Sequence, residues 1–203
     1  MLRIIAGVTS SYFVPVFFMK VYPGFRDTFA VSNAASMAIC GLASSMAGGI
    51  ISDTFEKKSF MSKAFVCMTS SFLAFPLMAA CCLNQSSFWF SMIMVTGKTL
   101  VSAAFTSPAI TMIQNTTKHS NQGKVISSYQ FYTAISATFA PIIFTKLAKL
   151  FGAQANPYIY GYLIAFFGII GYWGSIPLWW MAGRSYKKHM EQINKRDPNL
   201  TLA

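Results

Sequence analysis

Six apolar stretches, each about as long as a bilayer-crossing helix, occupy most of this chain, and Lys98 is the one charged side chain well inside any of them. A hydrocarbon layer is roughly 30 Å thick, so a helix rising about 1.5 Å per residue needs about 20 mostly apolar residues to cross it. The stretches run approximately over residues 2–21, 29–51, 60–83, 88–112, 125–147 and 158–181. The gaps between them are too short to be separate domains. Only 10% of residues are charged, against roughly 25% in soluble domains, and segments such as 88–95 and 162–170 offer no polar outer face. A soluble helical core is therefore excluded. The chain reads as an all-α membrane protein with six transmembrane helices in residues 1–181 and a basic cytoplasmic tail in residues 182–203, helical near the membrane and fraying beyond Asp197-Pro198.

The net charge of +11 follows membrane topology and does not mark a nucleic-acid surface. Six spans put both termini on one side, together with Arg3, Lys57, Lys58, Lys63, Lys118, Lys124, Arg184, Lys187, Lys188, Lys195 and Arg196. Only Lys20, Arg26, Lys146 and Lys149 fall on the other side. Positive residues stay inside, so both termini are expected in the cytoplasm of a multi-pass integral membrane protein. The run after Arg3 is too long and aromatic, and too closely followed by further spans, for a cleavable signal.

The polar residues within the spans carry the functional information. The first span holds Ser11, Tyr12 and Pro15 and ends at the turn Tyr22-Pro23-Gly24. Asp27 and Thr28 could cap the second helix, which is rich in small residues (Ser32, Asn33, Ser36, Gly41, Ser44, Gly48, Gly49) that let helices approach closely in lipid. Pro76 lies in the third span, Gly97, Lys98 and Pro108 in the fourth, Gln130 and Pro141 in the fifth, and Gly161, Gly168, Gly171, Gly174 and Pro177 in the sixth. Cys40, Cys67, Cys81 and Cys82 show no metal-binding spacing and read as small packing residues. No metal site or cofactor is expected. Asn84-Gln85-Ser86, in a short loop, and Asn115-Thr116-Thr117, on the inner side, match the glycosylation triplet by chance.

The most specific local signal follows the second span: Gly49-Ile50-Ile51-Ser52-Asp53-Thr54-Phe55-Glu56-Lys57-Lys58. A glycine, an aspartate four residues later and then two basic residues resembles the loop signature of the major facilitator superfamily, found between the second and third helices of each six-helix half. Gly49 would allow close helix contact, Asp53 would sit against the positive N-terminus of a neighbouring helix, and Lys57 and Lys58 would hold the loop inside. Thr54 and Glu56 depart from the usual pattern in the manner of the C-terminal half. Ser107-Pro108, Ile113-Gln114-Asn115 and Asn121-Gln122-Gly123-Lys124 resemble the passage from the tenth to the eleventh helix of these transporters.

The resemblance implies one half of a twelve-helix fold, built from two three-helix inverted repeats. It also implies a fragment of a secondary transporter working by alternating access, paired with a missing N-terminal half or a second copy. Lys98 lies near the bilayer centre, where an ionised lysine costs about 2.5–3.5 kcal/mol, and no Asp or Glu lies in any span. Ser102 and Thr106 follow at four-residue intervals, so a continuous helix would place all three on one face. That face is expected to line the pathway, with Lys98 attracting the anionic group of a small organic solute. Ser11, Tyr12, Asn33 and Gln130 are its candidate companions. No Ser/His, HExxH or paired-aspartate arrangement and no nucleotide-binding glycine loop appears, which weighs against an enzyme and an ATP-driven pump. The alternative is a non-transporting structural subunit of a membrane complex.

Overall fold

The computed structural model describes residues 2–56, 59–84, 87–117 and 119–196. Lys57 and Lys58 of the loop motif, Lys118, the turn residues Gln85 and Ser86, and the segment from Asp197 and Pro198 to the end lie outside the described residues. Six long apolar helices form the molecule, and no strand occurs among the described residues. The protein is thus an all-α, multi-pass membrane protein in contact with the lipid bilayer. The first span is α1 (Leu2–Val21). A 3-10 turn, Pro23–Phe25, runs directly into α2 (Arg26–Glu56). Asp27 and Thr28 therefore fall inside the first turn of α2 and not at its cap. The Asp27 carboxylate is favourable there against the positive helix end. The third span is α3 (Ser62–Leu83).

The last three spans are each longer or more irregular than apolar length alone implies. The fourth is broken into α4 (Phe88–Ser102), a 3-10 turn at Ala103–Phe105, and α5 (Thr106–Asn115). Pro108 explains the break: it has no N–H to donate to the Ala104 carbonyl one turn earlier. After a 3-10 turn at His119–Asn121, α6 (Gln122–Leu150) makes the fifth span. The sixth comprises α7 (Tyr158–Gly168), a π turn at Ile169–Trp173 and α8 (Ile176–Arg196). α8 continues unbroken past Met181 and buries Tyr186, which packs with Ala64, Met112, Phe60 and Met190.

The packing of the spans has an internal symmetry. The third span packs on the fourth and the sixth on the first; the second packs on the fourth and the fifth on the first; the third and sixth pack on each other. Within each three-helix group, neighbouring pairs also touch. Exchanging spans one to three with four to six leaves this list unchanged, as two three-helix repeats related by a pseudo-two-fold axis require. The main core lies between α1, α3, α4, α6 and α7, where Phe17, Phe18, Met78, Cys81, Cys82, Phe144 and Ile164 are fully buried. α6 buries residues only along its second half, through Ser136, Ala140, Phe144 and Ala148. Its first half buries no residue fully, although Gln122 bonds to the Gln114 carbonyl and Ile126, Tyr129 and Thr133 are half-buried.

Candidate functional site

The first and fourth spans are not among the closely packed pairs. They are joined by long polar side chains across the symmetry axis. Lys98 of α4 is only 8% exposed, and its Nζ donates to Ser10 Oγ of α1 at 2.8 Å. One helical level away, Arg3 of α1, 4% exposed, donates from Nη2 to the Ser102 carbonyl at 2.7 Å. Its guanidinium carbon lies 4.5 Å from the Phe105 ring centre and 4.3 Å from that of Tyr172. Tyr172, fully buried in the π turn, lies beside Ser10 and in the electrostatic field of both Lys98 and Arg3. Its hydroxyl makes no hydrogen bond among the described residues, and neither does Arg3 Nε.

Gly171 makes this arrangement possible. A Cβ at that position would collide with Ala6 and stand 2.8 Å from the Leu2 carbonyl oxygen, so only glycine lets the start of α1 reach the π turn. π turns interrupt helices mostly at functional positions. Arg3 serves in the sequence as a topology marker and Tyr172 as one apolar residue among many. The glycine spacing around Tyr172 is the signal that could have found it.

The break in the fourth span separates the expected companions of Lys98. Lys98 is buried, Ser102 is half-buried and Thr106 is exposed, because the 3-10 turn between them advances about 120° per residue and not 100°. The carbonyls at the break are met from three other helices. Arg3 reaches Ser102 O, Ser45 Oγ lies 3.5 Å from Ala103 O, and Cys67 Sγ lies 3.7 Å from Phe105 O. Gly48 faces Ala104 O so closely that no side chain could stand there.

The remaining candidates lie elsewhere. Tyr12 is 61% exposed and points about 200° around α1 from Ser10, away from Lys98. Ser11 and Gln130 are exposed as well, and Asn33 is half-buried with its amide against Met37 Sδ. Two grooves open on this outer side. One, of about 260 Å³, lies between α1 and the first half of α6 and is lined by Ile4, Tyr129, Tyr132 and Thr133. The other, of about 390 Å³, lies between α2 and α4, where Ser36 and Thr96 share a 2.9 Å hydrogen bond. Ser36 and Thr96 were not singled out as a pair; nothing in the sequence brings residues 60 apart together.

At the end of the bundle that carries the loop motif, Gly49 packs directly on Ser107. Among the described residues no backbone N–H is bonded to Asp53, which stands beside the first turn of α3. It lies in the last turn of α2 and faces Lys63 Nζ of α3 at 3.3 Å. Lys63, 1% exposed, also pairs with Glu56. Glu56 in turn accepts from Tyr186 Oη of α8 at 2.5 Å, and that hydroxyl accepts from Asn115 Nδ2 at 3.0 Å. Three helix ends and the middle of α8 are tied by this chain of bonds, and Asn115 is occupied within it. Among the described residues no group of three or more His, Cys, Asp or Glu could hold a metal ion. Cys67, Cys81 and Cys82 are buried and form no disulfide among the described residues.

Comparison with curated proteins and with solved structures returns no match. A family profile described as Major Facilitator Superfamily matches residues 1–201. The six apolar helices and the symmetric packing stand as members of that family, which are membrane transporters, require. The chain belongs to the major facilitator superfamily.

Proposed function

We propose that the chain forms one six-helix half of a secondary transporter that moves a small organic anion by alternating access, with both termini in the cytoplasm. The observation that carries this reading is the exposed polar face of α1, α2 and α6. Ser11, Tyr12 and Gln130 lie outermost on it, with Asn33 partly covered. Ser11 bonds back to the Gly7 carbonyl and Asn33 to Met37 Sδ, so Tyr12 and Gln130 carry the argument: a polar group facing hydrocarbon without a partner costs several kcal/mol (roughly 2–7), which a second half or a water-filled pathway would relieve. Lys98 and Arg3, one layer behind, give the wall a positive potential that favours an anion. Ser102 and Thr106 sit at the break, where the wall can bend. Asp53 and Gly49, with Lys57 and Lys58 beyond them, hold the loop that follows α2.

Single cysteines placed at Tyr12 and Gln130 of the full-length protein test the pathway. Both should react with a membrane-impermeant thiol reagent and be protected by a transported anion. Unreactive cysteines at both positions would assign this face to lipid and remove the reading. In reconstituted vesicles, Lys98→Met should abolish uptake of organic anions; undiminished uptake would separate Lys98 from transport.

A further inference from the structure

We propose that Lys98, Tyr172 and Ser10 form a binding site for one small inorganic anion of halide size, inside the six-helix unit and not on its outer face, with Arg3 supplying a second positive charge across the Tyr172 ring. Two cationic side chains, each more than nine-tenths buried, face the gap between the first and fourth spans. Among the described residues neither forms an ion pair: Asp53 and Glu56 pair with Lys63, Glu191 pairs with Lys187, and Asp27 is exposed at the start of α2. Lys98 uses one of its three donors, on Ser10. Among the described residues the buried Tyr172 hydroxyl and Arg3 Nε complete no hydrogen bond, although Ser10 and Lys98 stand beside that hydroxyl. Buried donors left unmatched in a native interior call for an ion or a water, and the surplus of positive charge here selects an anion.

Both outer grooves are lined by other residues. Lys98, Tyr172 and Ser10 are enclosed by α1, α3, α4 and the π turn, with Cys81, Cys82 and Cys67 the titratable groups contributed by α3. The Tyr172 hydroxyl lies close to both Lys98 and Ser10, so the proposed ligand shared by Lys98 Nζ and Tyr172 Oη is a single small ion. The site shares Lys98 with the transport reading, but chloride binding and the Tyr172→Phe affinity are read without transport, so the two can fail separately.

The test is binding of radiolabelled chloride to the purified full-length protein in detergent, with sodium gluconate holding ionic strength constant. Saturable binding is expected, competed by bromide and lost in Lys98→Met. Tyr172→Phe, which removes only the hydroxyl, should weaken it about tenfold, the worth of one hydrogen bond to a charged group. Lys98→Arg should retain it, and chloride but not gluconate should raise the thermal midpoint of the wild type. Absence of saturable binding, or binding unchanged in both Lys98→Met and Tyr172→Phe, would overturn the proposal. So would a midpoint that chloride and gluconate raise equally. Should Lys98→Met fail to fold, the Tyr172→Phe affinity decides.

Discussion

A lysine at mid-membrane depth is an expense that packing does not require. Lys98 makes a single hydrogen bond, to Ser10, and Ser10 has a second partner in the Gly7 carbonyl at 2.9 Å. Replacing it by an apolar side chain of similar length should leave the fold intact. In halide-free buffer, Lys98→Met is expected to be neutral or up to ~2 kcal/mol more stable than wild type, read as the thermal midpoint in detergent. A clear drop would make Lys98 a structural residue. Lys63 behaves oppositely. It is equally buried but has two carboxylates, and Lys63→Met strands Glu56 beside Asp53. A loss of about 2 kcal/mol is expected, below the 3–5 kcal/mol of a fully buried pair because Asp53 is exposed to solvent. Midpoints of the two variants measured side by side check this contrast. The depth of Lys98 was legible from its position in an apolar run. The role of Lys63 was not, since the seven-residue separation from Glu56 conceals that the two side chains meet.

Helix breaks carry the next level of organisation. The fourth span bends because Pro108 frees the Ala104 carbonyl, and α2 accommodates the bend by offering Gly48 at that point. Small residues in α2 read as permissive for close approach, yet they divide sharply. A Cβ on Gly48 would run into the Ala104 carbonyl, whereas a Cβ on Gly41 meets nothing within 4 Å. Gly48→Val should therefore separate α2 from the fourth span and abolish a folded, monodisperse protein, measured by gel filtration in detergent. Gly41→Ala should be tolerated and gain about 0.5–1 kcal/mol from reduced unfolded-state freedom. If both variants fold equally well, the close approach at Gly48 is not what fixes the bend. Proline positions made the break foreseeable, but its exact place, three residues of 3-10 turn at Ala103–Phe105, depends on contacts from Arg3, Ser45 and Cys67. The same holds for the π turn, which exists because Gly171 must meet α1. Tertiary approach, not local propensity, sets both irregularities, so periodicity along the chain could not reveal that Thr106 leaves the face of Lys98.

At the scale of the whole molecule, hydropathy alone delivered the six spans to within a few residues at most ends, because length and apolar content are the quantities a bilayer constrains. The exchange symmetry of the packing is a property of pairs, and no single span announces it. That symmetry fixes the relative direction of the helices: inverted repeats of three place the first and fourth spans antiparallel, so the loop after α2 and the end of α8 share one side, as the bonds from Glu56 to Lys63 and Tyr186 require. Which side of the membrane this is follows from charge. Arg3, Lys63, Lys124, Arg184, Lys187, Lys188 and Lys195 gather there, against Lys20, Arg26, Lys146 and Lys149 at the opposite end. Translocating a lysine-rich loop is opposed, so the richer side should be cytoplasmic. Arg26 and Lys187 are both exposed and lie at opposite ends. A cysteine replacing Arg26 should react with an impermeant thiol reagent on intact cells, and one replacing Lys187 only after the membrane is opened. Labelling of both on intact cells, or the reverse order, would break the link between charge and orientation while leaving the helix packing untouched.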